Sequence, residues 1–348
     1  MWRRDILLGA VALARPRAKT ASVIPPDAIA LIERAVSAGE VRAAVLHVSH
    51  GQRSEARSFG LAKATDTVFL LASITKPMTA TCVMMMADRG LLSLDDPVVR
   101  HIPAFRGGDR SLVTVRHLLT HSSGLPDMLP DNVDLRRRHA PLKDFVAGAC
   151  QVPLLFRPGT EVRYQSMGIL LAAEIVERLT KLPLRDFLRR ELFQPLGMAT
   201  ASLGLGGRSI AETARCEVDD EPWGWNSPYW RGLGAPWGGA HGTVGDVARL
   251  LRFFARPPRG SVLRPATVRQ MIKKQTGSSK DRFGLGWMLS CGGSGSSEQT
   301  FGHLGSTGTL CWHDPNQDRT FVLLTTKPLA QSQTKLLQPV ADIVAKAT

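Results

Sequence analysis

The sequence predicts an α+β fold in which one antiparallel sheet is assembled from both ends of the chain and is flanked by helices. Strand-like segments lie near the N-terminus and in the last third, whereas the middle shows helical periodicity interrupted by proline and glycine. The 348 residues, 43% of them hydrophobic, are enough to bury a large core. We therefore expect a helical subdomain inserted into the sheet, with a functional site in the cleft between the two parts.

The N-terminal part of the sheet is predicted to be a hairpin. Asp27 follows a Pro-rich joint and is a candidate cap for a helix that runs to about Ser37. Residues 43–50 and 53–59 then have the composition of two strands connected around Gly51.

The middle of the chain is predicted to form short helices. Thr114 is a candidate helix cap, and Thr243-Val-Gly-Asp246 has the pattern of a capping box. A Trp- and Gly-rich loop is expected over 221–242. The predicted helices cover 115–120, 142–150, 167–180, 184–192, 247–254 and 265–274.

The last third returns to strands and ends with a helix. The predicted strands cover 283–290, 300–304, 308–312 and 319–326, and the helix covers about 333–346. We therefore divide the chain into a leader, 1–22, and one domain, 23–348. Within that domain the α/β part is about 23–95 and 243–348, and the helical part is about 96–242.

The first residues resemble a bacterial export signal. Arg3 and Arg4 precede a short apolar stretch, and Ala-Leu-Ala at 12–14 is typical of a cleavage site. We expect a periplasmic or secreted protein, with a cytoplasmic location as the alternative. No apolar run has the length of a membrane span.

The chain is strongly basic, with a formal net charge of +14. Such a charge permits attraction to nucleic acid or to an anionic cell envelope. The basic residues are scattered apart from one cluster at 136–138, which no nucleic-acid-binding motif accompanies. We expect a small-molecule substrate, no nucleic-acid partner and at most a loose association with an anionic envelope. The oligomeric state is left open.

Neither cysteines nor histidines are spaced as metal ligands. The odd number of widely separated cysteines also gives no disulfide framework, so most are expected to be small buried residues. We expect no metal and no other cofactor. The residues concerned are Cys82, Cys150, Cys216, Cys291 and Cys311, with His121, His241 and His313.

The chemistry is predicted to lie in residues 67–90, where an apolar run leads into a helix that begins near Ser73 and ends at Gly90. Ser73 and Lys76 are three positions apart and therefore share one face of that helix. An amine whose pKa is lowered can activate a serine, and the free N–H groups at the helix start can stabilise an oxyanion.

A second Ser-x-x-Lys pattern occurs at Ser332 and Lys335. It lies on a polar C-terminal segment without an apolar lead-in. We interpret this copy as a solvated helix face.

Two other segments carry candidate functional residues. Tyr164 follows a Pro-Gly turn, and a phenol between two cations can lose its proton below its usual pKa of about 10 and act as a base. His303 lies in a Gly-dense segment, 301–309, where a ligand backbone can approach closely and the N–H beyond Gly305 could bind an oxyanion. The alternatives are a packed loop tyrosine and a structural histidine.

In order and spacing, these three segments resemble the serine β-lactamase and penicillin-binding-protein-like superfamily. The resemblance covers roughly residues 27–330, includes framing segments at 118–126, 195–198 and 283–287, and is strongest to class C β-lactamase-related hydrolases such as family VIII esterases and D-aminopeptidases. It implies the β-lactamase/transpeptidase-like form of the α+β fold.

The resemblance also implies roles for individual residues. Ser73 corresponds to the acylated nucleophile, Lys76 to its activating amine, and Tyr164 to the tyrosine of the Tyr-x-Asn element, which shuttles protons. The backbone N–H groups of Ser73 and Ser306 correspond to the oxyanion hole.

Two positions depart from the family pattern. Ser166 stands where class C enzymes usually have the substrate-binding Asn, and His303-Leu304-Gly305 replaces Lys-Thr-Gly. A histidine is only partly charged at neutral pH, so the grip on a β-lactam carboxylate is expected to be weaker.

We therefore predict a metal-free serine hydrolase that forms an acyl-enzyme with a carboxylic ester or a D-amino-acid-type amide or peptide. A β-lactamase is the alternative enzyme, and a penicillin-binding or structural homologue without turnover is the alternative outside catalysis. The sequence lacks Gly-x-Ser-x-Gly, His-Glu-x-x-His, phosphate-loop and dinucleotide motifs.

Overall fold

The computed structural model describes residues 22–258, 260, 262–275, 277 and 282–347. Except for Ser22, the predicted leader lies outside these residues. Within the described ranges, no helix combines the length and apolar character needed to cross a membrane.

Six antiparallel strands join the two ends of the chain in one sheet, as predicted. The spatial order is β2-β1-β9-β8-β7-β6. The central pairing joins the termini, with Val45 of β1 opposite Leu324 of β9. The strands are β1 (Ala43–His50), β2 (Arg53–Gly60), β6 (Met288–Leu289), β7 (Phe301–Gly305), β8 (Thr309–Asp314) and β9 (Arg319–Thr325).

A second, three-stranded sheet, which the sequence did not predict, includes the segment directly before the turn that carries Ser73. Its order is β3-β5-β4, formed by Phe69–Leu70, Ala240–Gly242 and Ser202–Leu203. This sheet ties the segment before Ser73 to the end of the Trp- and Gly-rich region.

The helices fill the space around the sheets. They are α1 (Pro26–Ser37), α2 (Thr75–Asp88), α3 (Val98–His101), α4 (Val115–Leu119), α5 (Asn132–Arg137), α6 (Leu142–Gln151), α7 (Met167–Thr180), α8 (Leu184–Leu188), α9 (Pro228–Leu233), α10 (Val244–Ala255), α11 (Pro265–Met271), α12 (Leu329–Ser332) and α13 (Gln338–Lys346). Two π-helical segments, Arg189–Phe193 and Gln333–Leu337, extend α8 and connect α12 to α13.

Helix caps account for several predicted boundaries. The side chains of Thr114 and Thr243 accept hydrogen bonds from the first turns of α4 and α10, and both form capping boxes. Asp27 is not a cap, because α1 already begins at Pro26 and Asp27 lies in its first turn.

Three other predicted boundaries are wrong. The strand expected over 283–290 is reduced to Met288–Leu289, because the Gly-Leu-Gly segment turns back to form an isolated bridge between Phe283 and Met288. The helix from Pro265 ends at Met271, and part of the loop expected over 221–242 forms α9.

The main sheet separates two hydrophobic cores because its side chains alternate between faces. Val45 and Val322 face the larger core, which contains α2, α7 and α10. Leu46 and Leu323 face the smaller core, which α1 and α13 cover.

The cysteines are free thiols, and four of the five are buried, while Cys291 is partly exposed. No metal-binding cluster of His, Cys, Asp or Glu is present among the described residues. The second Ser-x-x-Lys pattern is not solvated as expected at Ser332, which is buried and donates hydrogen bonds from Oγ to the carbonyls of Lys327 and Pro328.

Candidate active site

Ser73 lies in a tight turn directly before α2. A short 3₁₀ turn, Ala72–Ile74, precedes the helix, and Ala72 has a φ of 47°, in the left-handed region. The turn is fixed by Thr75, whose Oγ1 donates to the Ala72 carbonyl at 2.6 Å and accepts from the Ala240 N–H at 3.0 Å. These contacts leave Ser73 partly exposed at the end of a buried helix.

Lys76 is completely buried one helical turn beyond Ser73. Its Nζ donates to Ser73 Oγ at 3.1 Å and to the carbonyl oxygen of Trp237 at 3.0 Å. Burial lowers the pKa of Lys76 from 10.5 to about 7, and the Asp127 carboxylate opposes this shift in part. A large fraction of the amine is therefore unprotonated near neutral pH and able to accept a proton from Ser73.

Tyr164 completes the group of three predicted side chains. Lys76 Nζ lies 4.7 Å from the centroid of its ring, and Ser73 is near enough to lower the pKa of the phenol through a hydrogen bond. Burial outweighs that effect and raises the pKa of Tyr164 above its usual 10. The phenol therefore keeps its proton near neutral pH, in contrast to the lowered pKa that the sequence offered as one possibility.

His303 is neutral. Burial, with the positive charge of Lys76 in second place, lowers its pKa from 6.5 to about 3. Its Nδ1–H donates to the Leu304 carbonyl at 2.6 Å, so Nε2 carries a lone pair. Nε2 is buried and has no hydrogen-bond partner among the described residues. The partly charged histidine expected from the sequence is thus an uncharged acceptor.

Gly305 allows β7 to pass close to the nucleophile turn. A Cβ at this position would lie 2.6 Å from the Leu71 carbonyl oxygen and 3.1 Å from Ala72 Cβ. The next residue, Ser306, lines the same cavity as Ser73. Within the described part of the chain, no protein acceptor is found for the backbone N–H of either serine. Both are available to an oxyanion.

Ser166 and Asp127 form a pair at the entrance to α7. Ser166 Oγ donates to Asp127 Oδ1 at 2.6 Å, and both residues line the cavity. Asp127 also acts electrostatically on Lys76 and Tyr164. Instead of the amide that is absent at position 166, the site has a hydroxyl that is hydrogen-bonded to a carboxylate.

Five of the predicted site residues line one cavity of about 520 Å³, namely Ser73, Tyr164, Ser166, His303 and Ser306. Lys76 reaches this cavity through its hydrogen bond to Ser73, and Gly305 directly precedes Ser306. Sequence reasoning missed Asp127, Trp237 and Arg136, which also line the cavity. Asp127 directly follows the turn at 118–126, and Trp237 belongs to the Trp-rich segment, so both had a local signal. Arg136 was recognised only as part of a basic cluster.

The family of the chain follows from a direct match. A family profile described as Beta-lactamase matches residues 28–345. The chain therefore belongs to the beta-lactamase family. The matched range extends from α1 to α13 and includes each of the three motif segments.

Two curated relatives illustrate the range of activities in this family. The chain is 32% identical over 298 residues to esterase EstB of Burkholderia gladioli, covering 71% of this chain and 73% of EstB. It is 31% identical over 254 residues to penicillin-binding protein 4 of Amycolatopsis lactamdurans, covering 67% of this chain and 65% of that protein.

Solved structures confirm the β-lactamase/transpeptidase-like fold. EstCE1, described as a hydrolase with promiscuous acyltransferase activity, superposes with a TM-score of 0.80 at 21% identity over 93% of this chain and 98% of its own. D-amino acid amidase from Ochrobactrum anthropi SV3 superposes with a TM-score of 0.74 at 22% identity over 92% and 98% of the two chains. At these identities the likeness concerns the fold.

Proposed function

We propose that this protein is a serine hydrolase that forms an acyl-enzyme on Ser73 and acts on carboxylic esters, with D-amino-acid-type amides or peptides as the next class. The observation that carries the proposal is the 3.1 Å hydrogen bond between Ser73 Oγ and a buried Lys76 whose pKa is lowered to about 7. A serine needs such a base, because its hydroxyl is a weak nucleophile at its own pKa.

The proton moves along a short path in this mechanism. Neutral Lys76 accepts the Ser73 proton as Oγ attacks the substrate carbonyl, and the N–H groups of Ser73 and Ser306 stabilise the oxyanion. Tyr164, which is protonated, donates to the leaving oxygen or nitrogen and regains its proton from Lys76. Water then attacks the acyl-enzyme by the reverse sequence and releases the acid.

The polar groups beside the nucleophile support esters and amides rather than β-lactams. His303 is an uncharged acceptor, and Leu304 offers no hydroxyl, so this part of β7 does not provide the cation that attracts a β-lactam carboxylate. Esterase EstB, which is 32% identical to this chain, agrees with a preference for esters.

Three substrates assayed in parallel test the proposal: a short-chain para-nitrophenyl ester, a chromogenic cephalosporin and a D-Ala-D-Ala peptide, whose hydrolysis is followed by the release of D-alanine. We expect the ester to be turned over fastest, and Ser73→Ala to lose at least about 10³-fold in kcat, which is the size of effect typical for a catalytic nucleophile. Full ester activity in Ser73→Ala would show that the site is assigned wrongly.

A homologue without turnover is the competing function, and a penicillin-binding protein stands among the relatives. Intact-mass analysis after incubation with a fluorophosphonate or a penicillin separates the two cases. A stable adduct on Ser73 without ester turnover would favour a penicillin sensor, and no adduct would favour a structural role.

A further inference from the structure

Arg136 differs from the other arginines of its cluster. Arg137 lies 3.7 Å from the Asp134 carboxylate and Arg138 lies 3.7 Å from that of Asp144. No carboxylate of the described residues lies within ion-pair distance of Arg136, although this is the arginine that lines the cavity with Ser73. The unpaired cation of the cluster is therefore the one that faces the site.

Aromatic rings hold the guanidinium of Arg136 in place. Its Cζ lies 4.0 Å from the ring centroid of Trp230 and 5.1 Å from that of Trp223, and one terminal nitrogen donates to the Trp223 carbonyl at 3.1 Å. Stacking uses the faces of the guanidinium and leaves its N–H groups along the edge. Its Nε–H is buried and has no protein partner among the described residues.

A buried arginine elsewhere in the chain shows how unusual this is. Arg231 is completely buried, and its guanidinium donates to Thr213 Oγ1 and to the carbonyls of Trp225 and Ala214. Neither arginine has a carboxylate partner among the described residues, but each of the three nitrogens of Arg231 has an acceptor, whereas Arg136 has one acceptor in all, and burial lowers its pKa. A half-buried, undersatisfied guanidinium is costly to maintain unless a ligand provides the missing anion.

The position of Arg136 separates it from the nucleophile. Trp230 packs on Trp237 with ring centroids 6.3 Å apart, and the Trp237 carbonyl accepts from Lys76, so the guanidinium is linked to the amine through two tryptophan residues and not by direct contact. Asp127 occupies the end of the cavity near Lys76 and would repel an anion there. An anionic group of the substrate is therefore attracted to Arg136 and repelled by Asp127.

We infer that Arg136 binds a carboxylate carried by the substrate at a distance from the scissile bond, which makes acidic esters or amides the substrate class of this site. The guanidinium edge matches a carboxylate with two parallel hydrogen bonds. This inference rests on the proposed function and extends it, since it assigns to Arg136 the anion-binding role that the neutral His303 lacks.

A matched pair of esters tests the inference. Mono-para-nitrophenyl adipate places a carboxylate at the end of the acyl chain, and para-nitrophenyl heptanoate is its neutral counterpart. Para-acetoxybenzoate and phenyl acetate form a second pair, with the carboxylate on the alcohol part. For each pair we compare kcat/KM for the acidic ester with kcat/KM for the neutral ester. We expect Arg136→Gln to lower the ratio of the first to the second by about tenfold or more in at least one pair. Arg138→Gln, whose arginine pairs with Asp144 outside the cavity, should leave both ratios unchanged.

A binding measurement tests the inference without catalysis, and it does not depend on the folding of Arg136→Gln. Adipate added to Ser73→Ala should change the tryptophan emission, since two indoles stack on Arg136, and added salt should weaken the effect. In Ser73→Ala/Arg136→Lys the half-saturating concentration should rise, because lysine lacks the planar fork.

The outcomes separate the two proposals. Esters that are hydrolysed with ratios insensitive to Arg136→Gln, or adipate that leaves the emission unchanged, would overturn the anion site while the hydrolase stands. Arg136-dependent adipate binding without ester turnover would support the anion site and count against the proposed hydrolase.

Discussion

Lys76 Nζ lies 3.0 Å from the carbonyl oxygen of Trp237, a residue 161 positions further along the chain. This hydrogen bond joins α2, the helix that directly follows the nucleophile, to the Trp-rich segment of the helical part. Because a carbonyl oxygen only accepts, it fixes the position of the amine without supplying a negative charge that would hold the proton on it. Burial can therefore lower the pKa of Lys76 to about 7.

The pH dependence of activity should report this lysine. Because the neutral amine is the base, kcat/KM for a neutral ester should rise as pH increases through about 7 and then reach a plateau. Because the pKa of His303 is about 3, its titration should add no second limb to the profile near the usual His pKa of about 6.5. A profile that is flat across neutral pH would contradict this assignment.

Asp127→Asn should move that limb to lower pH. The Asp127 carboxylate raises the pKa of Lys76, so its removal leaves burial unopposed. The measurement is the pH of half-maximal kcat/KM. Asp144→Asn is the matched control, because that carboxylate pairs with Arg138 on the surface. A shift to higher pH in Asp127→Asn would show that the carboxylate acts differently from what the geometry implies.

Lys76→Met should abolish activity while stabilising the fold. The folded-state pKa of about 7 lies below the unfolded value of 10.5, so the folded protein loses stability as pH falls through this interval and the unfolded chain takes up a proton. The penalty is complete below about 7 and is on the order of a few kcal/mol, since one pKa unit corresponds to about 1.4 kcal/mol.

Thermal unfolding at several pH values checks this prediction. The difference in Tm between Lys76→Met and the wild-type chain should be small near pH 10 and should grow as pH approaches 7, in line with the lysine pKa of about 10.4 in an unfolded chain. Lys335→Met, on the second Ser-x-x-Lys pattern, should show no such dependence. A variant that is equally destabilised at every pH would contradict the assigned burial penalty.

Tyr164→Phe should remove proton transfer without altering the packing. The Tyr164 ring packs against His121 with ring centroids 4.8 Å apart, and a phenylalanine ring would keep this contact. The hydroxyl near Ser73 would be lost. We expect kcat to fall by about 10² to 10⁴, the usual contribution of a positioned acid or base, with Tm nearly unchanged. Tyr229→Phe is the control, because its hydroxyl donates to the Ala140 carbonyl and lies outside the three-residue group.

The parts of the fold that were predicted correctly are those whose signal is local. Thr114 and Thr243 cap helices through side-chain hydrogen bonds three residues away, and 167–180 carries a helical repeat over its full length. The small sheet was missed because its strands are two or three residues long, and because β3 pairs with β5 about half the chain away. Such pairings have no periodicity to detect.

The same distinction applies to the site. Ser73, Lys76, Tyr164 and His303 lie in recognisable motifs and line or adjoin one cavity. Their protonation states could not be read from the motifs, because burial decides them: it keeps Tyr164 protonated and His303 neutral. Burial depends on the packing of distant segments and is therefore a property of the folded chain.

Gly305→Ala should damage both the fold and the site. A Cβ here would lie 2.1 Å from Thr309 Oγ1 and 2.6 Å from the Leu71 carbonyl oxygen, and the latter is backbone that cannot rotate away. Because β7 would have to move away from the nucleophile turn, we expect a loss of about 1 to 3 kcal/mol in the free energy of unfolding. The same movement should displace the Ser306 N–H and lower kcat.

Gly232→Ala provides the matched control for Gly305→Ala. Gly232 lies in α9, has no left-handed φ, and a Cβ there would meet no heavy atom within 4 Å. This change should leave stability unaltered or raise it by up to about 1 kcal/mol, because alanine restricts the unfolded chain. Denaturant titrations of the two variants, with kcat measured on the same samples, compare the effects directly. If Gly305→Ala matched Gly232→Ala in both quantities, β7 would not need to lie against the turn that presents Ser73.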